Sequence, residues 1–208
     1  MHNNTHPDWQ DAKHFLLGYG SLLSDDSRFR FSQNPHPAAS VLVDGFRREW
    51  ITRSEPEQQT YVGAIADATS QLNAHCIPVV INPSLQQREQ DYRFVQVSKS
   101  QVSGLGCQNA HLLAAIEPAD VTLWLCESLL CQRPTAEFPI HQTYIDTCLS
   151  GSLQHGGIDE AWRFMTSTAG WDHIVNDRDE PRYPRAARVS PAVINIIDQR
   201  LMPHITGQ

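Results

Sequence analysis

Two places in this chain carry residues whose types and spacing suit chemistry. The first is Gly18-Tyr19-Gly20-Ser21-Leu22, set directly after the apolar run Phe15-Leu16-Leu17. Glycines on either side of Tyr19 allow backbone angles, and a close ligand approach, that a Cβ would resist. Successive N–H groups in such a turn can point into one concavity and hold a carboxylate or a carbonyl oxygen. The same residues also fit a strand that ends in an ordinary tight turn. A nucleophilic Ser21 would call for a Gly-x-Ser-x-Gly elbow, which is not present. The second place is Glu89, in Gln86-Gln87-Arg88-Glu89-Gln90. Its residue type fits a general acid/base; its polar setting fits a solvated side chain between elements, with Arg88 beside it.

The stretch Phe15-Leu16-Leu17-Gly18-Tyr19-Gly20-Ser21-Leu22-Leu23 resembles the substrate loop of the gamma-glutamylcyclotransferase superfamily, an apolar strand running into Tyr-Gly-Ser. Leu85-Gln86-Gln87-Arg88-Glu89-Gln90-Asp91-Tyr92 is similar to the Leu-x-x-Arg-Glu-x-x-x-Tyr pattern of the ChaC-type branch, with one residue fewer before the tyrosine. The two motifs in this order are more specific than either alone. The resemblance implies an intramolecular aminolysis of a γ-glutamyl amide or peptide, which gives 5-oxoproline and a free amine. It assigns Glu89 the general acid/base role. It assigns Tyr19, Gly20, Ser21 and Leu22 to the substrate cradle, through backbone N–H groups and the tyrosine hydroxyl. The implied chemistry uses no metal and no cofactor. Its partner is a small γ-glutamyl compound; glutathione, γ-glutamyl amino acids and γ-glutamylamines all present the same reacting half. The loop here reads Ser-Leu-Leu where other branches place Asn after the serine, so a side-chain contact from that asparagine is missing.

Two further segments extend the resemblance. Ile140-His141-Gln142-Thr143-Tyr144-Ile145 is similar to the family segment in which a glutamine precedes a helix-borne tyrosine that lines the pocket, although Thr143 intervenes. Tyr144 is then a substrate-binding residue; by periodicity alone it is a core aromatic on an amphipathic helix. Asn176-Asp177-Arg178-Asp179-Glu180-Pro181-Arg182-Tyr183-Pro184-Arg185 resembles a C-terminal signature of some bacterial and plant members. Its arginines suit a bidentate grip on a carboxylate, and they equally suit an ordered loop packed by Arg–Asp pairs. The competing functional class is a protein of the same fold that binds a γ-glutamyl compound without turning it over. The placement of Glu89 relative to the loop separates the two.

The bulk numbers set the frame. A chain of 208 residues fits one domain with embellishments and buries roughly 70% of its unfolded surface. A formal charge of −7 argues against a nucleic-acid surface. Five cysteines, odd in number and without a Cys-x-x-Cys pair, fit a reducing compartment rather than a disulfide framework. They form no zinc pattern with the histidines. The polar residues from Met1 to Asp8 lack a signal-peptide core, and no apolar run reaches the length of a membrane span. These features place the protein in the cytoplasm by expectation.

The elements that must position these residues follow from the pattern. Residues 1–12 read as a loosely held lead-in to a single domain over 13–208. Strands are predicted at 14–18, at Ser40 to Arg53 with a bulge at Gly45, at Tyr61 to Ala66, at His75 to Ile81 and at Tyr92 to Val97, with a shorter one at Ala110 to Ile116. Residues 24–38 read as loop with a single helical turn. Helical spacing then appears at Ala119 to Cys131, at Ile140 to Ser150 with Gly151 closing it, at Ile158 to Ala169, and at Pro191 to Leu201. Strands first and helices later is an α+β plan. The resemblance implies a small mixed β-barrel or sheet with flanking helices and a helical C-terminal extension, about 150–208.

Overall fold

The computed structural model describes residues 8–81, 83–106 and 113–206. A seven-stranded mixed sheet curls into a half-barrel, with helices along its flanks and a helical C-terminal extension. Strand β1 (His14–Gly18) lies at its centre, antiparallel to β3 (Gln59–Pro78) on one side and parallel to β6 (Thr122–Ser128) on the other. Its Phe15, Leu16 and Leu17 are buried, as an apolar run covered on both faces requires. β1 stops at Gly18, but its two neighbours run on and meet directly, with Ala64 opposite Glu127. The chain leaving β1 therefore enters a closing notch between two strands, which is where the Tyr-Gly-Ser turn lies. Outside these come β2 (Ala39–Ser54) and β4 (Tyr92–Val97), with the short β5 (Val102–Gly104) on β2.

The bulge predicted at Gly45 is present: its φ is +88° and the β2–β3 register slips between Asp44 and Phe46. It switches which side of β2 faces the core. Val41 and Val43 are buried before it, and Phe46, Arg48 and Trp50 after it. The two strands predicted at 61–66 and 75–81 are one twenty-residue strand, β3. Their expected separation came from the polar stretch 67–71, where β3 continues with its side chains largely exposed. Residues 24–38 hold a true helix, α1 (Asp25–Ser32), started by Ser24, whose side chain accepts from the Ser27 N–H, and ended by a left-handed Gln33.

The helix expected over 119–131 is strand β6. Strand β6 is buried on both faces over much of its length, so its apolar residues lose the period-two signature and fit helical spacing as well. Of the strand expected at 110–116, residues 110–112 lie outside the described residues, and Ala114–Ile116 form a 3₁₀ turn. Gly151 closes no helix. Helix α2 (Pro83–Arg88) lies between β3 and β4; after the two-residue strand β7 (Ile140–His141) comes the long helix α3 (Gln142–Thr166), which runs through Gly151 and breaks its geometry only at Gly157, φ +65°. A Cβ on Gly151 would lie 2.3 Å from the Leu23 backbone, so the glycine marks a close helix–loop crossing. The short strands β8 (Thr168–Ala169) and β9 (Ile174–Val175) follow, pairing with β2 and β7. The extension ends in α4 (Pro191–Ile196), a π-helical turn at Ile197–Leu201 and α5 (Pro203–Thr206). At the other end, Trp9 is buried against Phe15, with ring centroids 4.9 Å apart, and donates to the Pro37 carbonyl. Among the described residues no helix is long and apolar enough to cross a membrane.

Candidate active site

The notch at the end of β1 opens into a cavity. With its open mouth the indentation has a volume of about 500 Å³. It is lined by Leu16, Leu17 and the turn from Gly18 to Leu22, together with Val62, Glu89, Cys126, Arg185 and tyrosines. The chain has five tyrosines, and all of them, Tyr19, Tyr61, Tyr92, Tyr144 and Tyr183, line this one cavity.

Each sequence-predicted residue can now be placed. Tyr19, Gly20, Ser21, Leu22, Glu89 and Tyr144 all border the cavity. Glu89 follows α2 in the turn into β4, its N–H donating to the Leu85 carbonyl and its own carbonyl accepting from Tyr92. Its charge reaches Tyr19, Tyr92 and Arg185. Tyr144, near the start of α3, brings its hydroxyl over Gly20; a Cβ there would lie 2.8 Å from that oxygen and from Val62. Only glycine allows the loop and the helix to come this close.

The Tyr19 hydroxyl has another task than the one expected of it. It donates to the Cys126 carbonyl on β6 and accepts from the Ala64 N–H on β3, 3.1 Å away. The phenol thus takes the place that β1 vacates and joins the two strands across the notch. Its proton is committed to the sheet, which leaves backbone groups as the loop's means of holding a ligand. Below the turn, the buried Arg48 holds the Tyr19 carbonyl at 3.1 Å. The same guanidinium donates to the Asn73 carbonyl and side chain, the Phe164 carbonyl, Ser167 and Thr168. Burial lowers the pKa of Arg48 to about 9, which still leaves it charged at neutral pH. The loop conformation is therefore set from beneath by a fixed, multiply bonded cation.

Burial pushes the phenols of Tyr19, Tyr92 and Tyr144 well above their ordinary value. They stay protonated at neutral pH and act as donors, not bases. Tyr92 donates to the Val62 carbonyl at 2.8 Å. Tyr144 stacks on Tyr183 at 4.4 Å and meets Tyr61 edge-on at 5.2 Å. The Tyr61 hydroxyl is buried without a hydrogen-bond partner among the described residues. Among the described residues that line the cavity, Glu89 is the one carboxylate and Arg185 the one cation, and no histidine stands beside Ser21 to activate it.

Sequence reasoning left Tyr61, Tyr92 and Tyr183 out of the site, and left the arginines of the 176–185 segment open between a grip on a carboxylate and an Arg–Asp packed loop. The C-terminal segment divides into two jobs. Arg178 pairs with Asp146 at 2.6 Å and with Asp198 at 2.8 Å, and Asp177 accepts from Thr143, so that end is a packed Arg–Asp rivet. Tyr183 and Arg185 at the other end reach the cavity. The signal available for them was the proline-spaced Pro181-Arg182-Tyr183-Pro184-Arg185, a stiffened backbone bearing one aromatic and two cationic side chains.

A curled mixed half-barrel with a ligand-sized notch at the end of its central strand is the gamma-glutamylcyclotransferase-like fold. Among solved structures, a "Gamma-glutamyl cyclotransferase" superposes with a TM-score of 0.53 at 14% identity, over 88% of this chain and 97% of that one. An uncharacterized protein from Homo sapiens, loc79017, superposes with a TM-score of 0.51 at 11% identity, over 89% of this chain and 98% of its own. Neither a protein-family model nor a curated protein matches the sequence.

Proposed function

We propose that this protein is a gamma-glutamylcyclotransferase-type lyase that converts a γ-glutamyl amide or peptide to 5-oxoproline and releases the amine. The observation that carries this reading is the position of Glu89, the one carboxylate among the described residues lining a cavity that the Gly18–Leu22 turn also lines. The substrate's α-amine is an ammonium ion at neutral pH and cannot attack. Glu89 takes a proton from it. The freed nitrogen adds to the substrate's own γ-carbonyl carbon and closes a five-membered ring, and N–H groups of the turn meet the charge that develops on the carbonyl oxygen. Glu89 returns that proton to the leaving nitrogen as the C–N bond breaks, and the second proton, which the ring nitrogen sheds on becoming an amide, passes to the released amine, which departs as an ammonium ion. Nucleophile and electrophile share one molecule, so the site's main task is to hold the folded-back conformer. Well-oriented intramolecular reactions have effective molarities of roughly 10⁵–10⁸ M. The phenols of Tyr19, Tyr92 and Tyr144 stay protonated and leave Glu89 as the base.

The test is lactam release by purified protein from a panel of γ-glutamyl compounds, with Glu89→Gln assayed alongside. The parent releases 5-oxoproline, and the variant, isosteric but unable to accept the proton, loses at least ~10²-fold in kcat. Equal rates in the two proteins would remove Glu89 from the mechanism; no lactam from any compound would remove the reaction.

A further inference from the structure

We propose that Arg185 is a specificity-determining residue that binds a carboxylate on the departing amine, so that the site prefers γ-glutamyl amino acids and peptides to γ-glutamyl alkylamines. The inference rests on the reading of the loop and Glu89 given above. The turn at the end of β1 and the Arg185 side chain line one cavity. With the glutamyl half held by the turn, whatever is joined to the γ-carbonyl shares that cavity with the guanidinium.

Arg185 is built to receive an anion there. It is the only cation among the described residues lining the cavity. Its guanidinium carbon lies 5.5 Å from the Tyr61 ring and 5.4 Å from the Tyr183 ring, so two aromatics fix its plane. Its Nε is buried without a hydrogen-bond partner among the described residues. Three carboxylates act on it, Glu57, Glu89 and Asp91, and it also hydrogen-bonds Tyr183. Glu57, in the turn between β2 and β3, stands 3.7 Å away and is itself about a third exposed at 32%, a loose pair in which water competes. Glu89 acts on it across the cavity, and that charge is neutralised when Glu89 takes the substrate's proton. A guanidinium whose ion pair with Glu57 is loose keeps N–H groups for a second carboxylate, which it can hold through two parallel bonds.

The experiment compares γ-glutamyl-alanine with γ-glutamyl-ethylamide, which differ only in the carboxylate of the departing amine. Their affinities are measured by calorimetry on the Glu89→Gln protein, where the ligands survive, and again after adding Arg185→Gln or Arg185→Lys. The alanine compound binds about 10- to 100-fold more tightly when Arg185 is present, the range of a charge-assisted hydrogen bond. The ratio falls to near one in Arg185→Gln and is intermediate in Arg185→Lys. A ratio near one with Arg185 in place overturns the assignment without recourse to any variant. Equal losses for both ligands in Arg185→Gln also overturn it, because Arg185 would then serve the glutamyl half. Because binding is read apart from turnover, a parent that releases no lactam would refute the reaction while the affinity ratio still decides Arg185.

Discussion

Removing the Tyr19 hydroxyl would strip both the Cys126 carbonyl and the Ala64 N–H of a partner at a point where Tyr19 is 5% exposed. Leaving buried polar groups unsatisfied costs about 1–3 kcal/mol, whereas the lost phenol–water interactions of the unfolded chain return little. Tyr19→Phe should therefore lower stability by about 1–3 kcal/mol in urea unfolding, and kcat/KM should fall with it, because the staple holds the notch in which the turn lies. A variant as stable as the parent would mean that β3 and β6 hold the notch without the phenol. Arg48 is the companion case at this scale. Its adjacent position to Arg47 gives no hint that one is buried and the other exposed. The hint lies in Gly45: one extra residue in β2 moves the even-numbered side chains inward, and Arg48 goes with them.

At the scale of elements, legibility tracked how cleanly one physical effect dominated. β1, β2 and β4 were readable because short apolar or alternating runs end at glycine or polar turns. β6 was not, since burial on both faces erases the alternation that identifies a strand. Gly151 shows the same contest in a helix. Helix propensity favours Gly151→Ala by about 1 kcal/mol, and the sequence reading took the glycine for a helix end. The new methyl would stand 2.3 Å from the Leu23 carbonyl group and 2.5 Å from the Ser24 nitrogen, all backbone atoms that have nowhere to move. Overpacking of this kind costs about 1–3 kcal/mol, occasionally more, so the steric effect wins. Gly151→Ala should destabilise the protein by thermal unfolding, and it should also depress the proposed lactam release, because Leu23 ends the Ser21–Leu23 turn that borders the cavity. A rise in Tm would show that α3 can withdraw from the loop. The candidate site was legible on one loop, on one turn and at Tyr144; Tyr61, Tyr92 and Tyr183 come from three other parts of the chain and join it only when the sheet curls.

The whole molecule carries a titration that no single element reveals. His75, on β3 opposite Gly18, is fully buried and its Nε2 lies 2.9 Å from Glu160 of α3. Its Nδ1 has no hydrogen-bond partner among the described residues, so a second ring proton would be stranded. His155 of α3 packs against the ring at 4.3 Å, and Arg28 of α1 adds positive charge. Burial above all, with His155 and Arg28 against the opposing pull of Glu160, lowers the His75 pKa to about 4. An unfolded histidine titrates near pKa ~6.5. Between these values the unfolded chain binds the proton and the folded one does not, so stability rises with pH through that window and is level above it. As pH falls from ~6.5 to ~4 the fold should lose up to about 3 kcal/mol from this group alone. Asp25, held down by its bond to His155 and by Arg28 against the effect of burial, contributes its own loss only at lower pH, as its carboxylate protonates. The two windows are therefore separable. Urea midpoints at pH 7.5, 6 and 5 should fall steadily for the parent and much less for His75→Gln, whose amide nitrogen can still meet Glu160. Parallel profiles for the two proteins would place the acid sensitivity elsewhere. Because His75 is paired with the last residue of β1, acid should also loosen the turn that follows, and the pH at which lactam release fails should track the stability profile of each protein, moving downward in His75→Gln.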